Sequence, residues 1–166
     1  MQRYLHHILE AALTPASSQS LLRPALEAIG FTVRQGLAHP MQCLPVLVAL
    51  ETCTDASVAS KAFALHSLLH EKQSGLINTR LTESIETVIN YQKRVLGGRP
   101  IMGHTGDPPS ALLSRWYSLM REKRQWRNEF LKAFLRGLHV EPTASNYTQV
   151  SQHNFGTPLE YADTVL

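Results

Sequence analysis

An all-α fold, arranged as a short array of stacked helical hairpins, is what the sequence predicts, on three observations. Apolar residues recur at helical spacing from the start, at Met1, Tyr4, Leu5, Ile8, Leu9, Ala12 and Leu13. Period-two alternation is nowhere sustained, so no strand pattern competes. The stretch 36–72, GLAHPMQCLPVLVALETCTDASVASKAFALHSLLHEK, reads as two amphipathic helices joined by a short polar turn, with a proline inside the first. That is the pattern of a HEAT-type hairpin, a unit that buries its apolar face only against neighbours. The expectation is therefore a HEAT-repeat α-solenoid segment of about seven helices, working by binding at its surface.

The elements follow in order. A first helix over about 2–14 stops at Thr14-Pro15, and Ser17, Ser18 and Ser20 offer cap oxygens to a second. The second carries Leu22, Leu26, Ile29 and Val33 on one face, with Pro24 near its first turn or kinking it, and Gly36 as a left-handed C-cap. His39-Pro40 forces an extended link into a third helix, about 41–52, whose first turn Pro45 interrupts. Asp55 caps a fourth, with Val58, Ala62, Leu65 and Leu69 inward, ending at Ser74-Gly75. A fifth over about 78–96 presents Leu81, Ile85, Val88 and Ile89 and closes at Gly97-Gly98. Residues 97–109 read as a mobile Gly/Pro loop, a sixth helix begins near Ser110, and a seventh reaches Leu138, the last two forming separate helices or one bent rod. The organisation predicted is hairpins over 1–138 and a polar tail over 139–166. The tail includes a helix start at Thr157-Pro158 that is cut off after less than three turns, as in a fragment of a longer array.

Composition narrows the function classes. The 166 residues are 43% apolar, enough for a core, with no run of about 18 apolar residues to span a bilayer and no signal-like start. A soluble, intracellular chain without a membrane partner is expected. Cys43 and Cys53 are too few for a disulfide scaffold or a four-ligand zinc site and read as reduced structural thiols. The net charge of +3 is unevenly placed: residues 93–138 carry ten Lys/Arg against three Asp/Glu, while 139–166 carry three acids and no Lys or Arg. That central block is the feature expected to choose a partner.

Three ordered segments, RQGLAHPMQCLPVLVALET, AFALHSLLHEK and ESIETVINYQKRVLGG, resemble the C-terminal HEAT region of the Nipped-B-like cohesin loader family, most like its fungal forms. The resemblance covers about residues 22–138 and is densest from Arg34 to Leu96; the polar segment 139–156 matches poorly. It implies a non-catalytic, nuclear scaffold segment without cofactor. Its implied partners are the cohesin ATPase heads and kleisin, double-stranded DNA, and the rest of the parent HEAT array. The alternative is a general α-solenoid adaptor that binds peptides or proteins without nucleic acid.

Candidate sites are few. Lys93, Arg94, Arg99, Arg121, Lys123, Arg124 and Arg127 form a basic stripe that can bind DNA phosphates; the plainer reading is a solvated helix face. Trp126 and Phe130, four apart, are expected to pack inward. His66 and His70 share a helical face with Glu71 beside them, a spacing able to hold zinc, but no third ligand is placed and a structural seam is the better reading. Pro45 and Asp55 are assigned structural roles, bending and capping, and no metal or catalytic residue is assigned.

Overall fold

The computed structural model describes residues 2–14, 19–36, 40–105 and 110–138. Their helices are α1 (Gln2–Ala12), α2 (Gln19–Gln35), α3 (Leu44–Glu51), α4 (Ala56–Ile77), α5 (Leu81–Leu96), α6 (Ser114–Met120) and α7 (Arg124–Leu138). The all-α prediction holds, with a single addition. Strands β1 (His104–Thr105) and β2 (Ser110–Ala111) pair antiparallel, His104 opposite Ala111. The predicted caps at Ser17 and Ser18, the link at His39, part of the Gly/Pro loop and the whole tail 139–166 lie outside the described residues.

The centre of the structure is α3. All eight of its residues are buried, because its sequence LPVLVALE is apolar around the whole circumference rather than along one stripe. It packs between α4 and α5. The prediction of an amphipathic third helix over 41–52 is corrected accordingly: a 3₁₀ turn over Pro40–Cys43 leads into a short, fully covered rod. Pro45 is corrected with it. It occupies the first turn, where a missing N–H costs nothing, and so helps start the helix.

Around α3 the apolar stripes are those predicted. Leu26, Ile29 and Val33 of α2, Val58, Ala62, Leu65 and Leu69 of α4, and Leu81, Ile85 and Val88 of α5 are all buried. Two cross-helix ion pairs, Arg23–Asp55 and Lys61–Glu27, tie α2 to α4 along their exposed edge. Asp55 also caps α4, its Oδ1 accepting the backbone N–H of Ser57 at 2.9 Å and of Val58 at 3.3 Å.

Three boundaries differ from the sequence reading. Ser20 lies inside α2 and is not its cap. α4 breaks at Gln73 (φ −140°, ψ 37°), beside the predicted end at Ser74-Gly75, but a further helical stretch then continues to Ile77. Beyond that break Ile77 is fully buried, and a 3₁₀ turn over Asn78–Arg80 then feeds α5. α6 starts at Ser114 rather than Ser110, because Ser110 and Ala111 are drawn into the β pairing and Leu112 N–H bonds Gly103 O at 2.8 Å. α6 and α7 are two helices, separated at Arg121–Lys123.

Gly97 ends α5 at φ 57°, the left-handed cap predicted for it. Gly137 has a different reason. A Cβ there would stand 2.8 Å from Ile85 Cγ2, so α5 and α7 approach too closely for any side chain.

Two outcomes follow from this packing. Gly137→Ala is expected to destabilise the chain by about 1 kcal/mol net in urea unfolding: overpacking costs about 1–3 kcal/mol and improved helix propensity returns up to about 1. Asp55 is held below its ordinary 3.8 first by the Ser57 and Val58 N–H groups, then by Arg23. Its stabilising contribution is thus present above that value and lost as pH falls through the lowered one. Asp55→Ala should melt at a lower temperature than the parent near neutral pH, and the gap between them should close in acid.

Candidate nucleic-acid interface

The basic residues fall into two groups. Arg121, Lys123, Arg124 and Arg127 gather at the elbow between α6 and α7, and all but the half-buried Arg127 are exposed. Arg127 Nη1 donates to Arg121 O at 3.2 Å and Arg127 N–H to Lys123 O at 3.1 Å, so the elbow is closed by one of its own cations. Lys123 Nζ lies 4.2 Å from the centroid of the Trp126 ring, a cation–π contact that fixes a side chain otherwise free to wander. Lys93 and Arg94 form the second group in the last turn of α5, with Arg99 just past it bonding Leu96 O through Nε at 3.2 Å. There they also complement the negative end of the α5 dipole. No hydrogen bond or ring contact joins the two groups among the described residues. Nor is any of these seven cations ion-paired there; the Lys/Arg ion pairs engage Arg23, Lys61, Arg80 and Lys132 instead.

An aromatic stack holds the elbow against the core. Trp116 of α6 is fully buried and meets Phe130 of α7 edge to face at 4.9 Å, with Tyr117 at 6.0 Å from the same ring. Phe130 packs inward as predicted, while Trp126 is only half-buried because its outer face carries Lys123.

The predicted histidine face of α4 lies against this stack. His66 is fully buried, 6.2 Å from Trp116, and its Nδ1–H donates to the Glu51 carboxylate of α3 at 2.6 Å. His70 meets Trp126 at 4.8 Å with the rings at 87°. Burial, and then His66 beside it, holds His70 below the ordinary imidazole value of 6.5. Glu71 is exposed and hydrogen-bonds neither histidine. Among the described residues no three His, Cys, Asp or Glu side chains come together in a way that could hold a metal ion. The partner of His66 sits inside its own hairpin, on α3. Next to Glu51, Thr52 receives Gln92 Nε2 of α5 at 2.7 Å, so the C-terminal end of α3 is bound to both flanking helices by polar contacts.

Sequence reading missed a cleft of about 340 Å³ where the α1–α2 junction, the α3–α4 turn and the end of α5 meet, lined in part by Arg23, Cys53, Asp55, Val58 and Tyr91. Nothing in the spacing of these residues announces it, because they come from four separate elements. Its chemistry is muted. Arg23 and Asp55 are paired with each other, and burial together with the Cys53 thiol raises the Tyr91 phenol well above its ordinary value. Cys43, pushed up to about 11 by burial, is an inert core thiol. No helix of the described residues is long and apolar enough to cross a membrane.

Helical hairpins packed side by side, with charge gathered at one elbow, define an α-helical repeat protein. A family model described as Sister chromatid cohesion C-terminus matches residues 1–162, and the chain belongs to that family. It is 33% identical over 138 residues to Nipped-B-like protein B of Danio rerio, covering 81% of this chain and 5% of that protein. It is 28% identical over 93 residues to sister chromatid cohesion protein mis4 of Schizosaccharomyces pombe, covering 56% of this chain and 6% of the relative. Among solved structures, the Chaetomium thermophilum cohesin loader SCC2, C-terminal fragment, superposes with a TM-score of 0.69 at 26% identity, over 78% of this chain and 10% of that one. The chain thus spans about one-twentieth of the length of the zebrafish protein.

The buried Glu51–His66 pair can be tested as structure. Glu51→Leu alone is expected to cost about 3–5 kcal/mol in urea unfolding by stranding the imidazole, while Glu51→Leu with His66→Leu should recover most of that loss. A double variant no more stable than the single one would show that the loss does not come from the stranded imidazole.

Proposed function

We propose that this chain is a non-catalytic scaffold segment of a cohesin loading factor, acting in the nucleus to promote cohesin loading and sister chromatid cohesion. The observation that carries the reading is the family match over residues 1–162, joined by the likeness to the C-terminal fragment of a cohesin loader. In this reading the helices of 1–138 dock on the rest of a parent HEAT array. The exposed face meets the cohesin ATPase heads, the kleisin and double-stranded DNA, and the tail 139–166 is a separate polar segment.

The DNA contact is assigned to Lys93, Arg94, Arg99, Arg121, Lys123, Arg124 and Arg127. What supports it is chemistry: seven cations with no carboxylate partner among the described residues, four of them held together at one elbow. Such groups bind phosphates irrespective of base sequence and release condensed counterions as they do so.

The test is duplex DNA binding at two salt concentrations. Parent binding should weaken steeply with salt, and reversing Lys123, Arg124 and Arg127 to Glu should abolish most binding at low salt. A milder Lys123→Gln, Arg124→Gln, Arg127→Gln variant should lower the log–log salt slope by about 2.7, at about 0.9 per phosphate contact. An isotherm unchanged in both variants, with helicity intact by circular dichroism, would return the chain to the class of protein-binding adaptors.

A further inference from the structure

We propose that polyanion binding at the α6–α7 elbow is coupled to protonation of His70 through the stack His70–Trp126–Lys123, so that the interface binds more tightly as pH falls. The proposal rests on the phosphate-binding reading of the elbow and adds a regulation of that same site.

The geometry is a relay of two ring contacts. Lys123, an exposed cation available to a phosphate, sits 4.2 Å from the Trp126 ring centroid. The same indole receives His70 at 4.8 Å, the two planes at 87°. His70 Nδ1 is buried without a hydrogen-bond partner, as are His66 Nε2, Gln73 Oε1 and Trp116 Nε1 along the same seam. One indole therefore separates a solvent-facing cation from a half-buried imidazole whose Nδ1 makes no hydrogen bond.

The charges facing His70 set the sign. Burial opposes its proton most, followed by His66 one turn back on α4. The Nδ1 of that His66 is already taken by Glu51 of α3. From the elbow, Glu122 favours the proton and Lys123 opposes it, and Glu71 on α4 itself favours it. The α2 ion pairs meet α4 at Asp55 and Lys61, about 13 Å or more along the helix from His70 at 1.5 Å per residue. Of these groups, Lys123 is the one whose charge a bound phosphate would neutralise directly. Once it is neutralised, the field opposing a proton on His70 falls and the imidazole charges more readily. Binding free energies are reciprocal, so a proton on His70 must in turn tighten the polyanion. Because free His70 is held below the ordinary 6.5, the extra affinity appears as pH falls through that value and below.

The chain carries eight histidines, so the test isolates His70 by substitution. Duplex DNA binding of the full 166-residue chain and of its His70→Gln variant is measured by fluorescence anisotropy at constant ionic strength, near neutrality and in mild acid. The parent is expected to gain about three- to tenfold more affinity on acidification than the variant, since one unit of linked pKa shift is worth tenfold. Equal gains in the two proteins overturn the coupling. Imidazole NMR titration of the unsubstituted chain provides a check that needs no variant. The His70 pKa should rise when DNA is added, and an unmoved pKa also overturns the coupling. A chain that binds DNA at neither pH removes the elbow reading itself and the coupling with it.

Discussion

Complete burial of α3 is the constraint on which the other elements depend. A rod with no exposed side must be covered all round, and both of its ends must settle their polar groups internally. The apolar part of that demand is met by α4 and α5, which pack against it on two sides. The polar part is concentrated at the C-terminal end, where Glu51 turns to His66 and Thr52 to Gln92. Two adjacent polar residues facing opposite neighbours lock the rotation of α3 about its own axis, which a smooth greasy cylinder could not do by itself. Buried polar contacts of this kind specify a register at some expense of stability.

Much of this was legible in the sequence. The inward residues of α2, α4 and α5 were found by helical spacing alone, because each of those helices has one buried stripe and one solvated face. Asp55, Gly36 and Gly97 were found by cap chemistry that acts within a few residues. What was missed depends on distant partners. The stretch of α4 past the break at Gln73 carries Ile77 into a buried site that local propensity does not register. The short β pairing depends on two segments meeting across a loop. For Gly137, the reason is Ile85 on another helix.

The elbow was half legible. Composition identified its cations, and spacing placed Phe130 inside. Spacing could not show that Lys123 lies on Trp126, nor that Trp126 in turn lies on His70, since three elements meet there. The histidine pair illustrates the same limit from the other side. Its four-residue spacing resembles half a metal site, yet the carboxylate that decides its role is Glu51, fifteen positions earlier, while adjacent Glu71 turns to solvent. Spacing allowed zinc chemistry but favoured a seam, and the spatial neighbours are those of a seam.

The irregular residue in α4 has a mechanical consequence. At Gln73 the backbone leaves helical geometry, and the helix is kinked there. The break falls one turn past His70 and just before Ile77 anchors the final stretch. A kink at this joint lets the final stretch of α4, with its buried Ile77, run at a different angle from the longer rod that packs on α3.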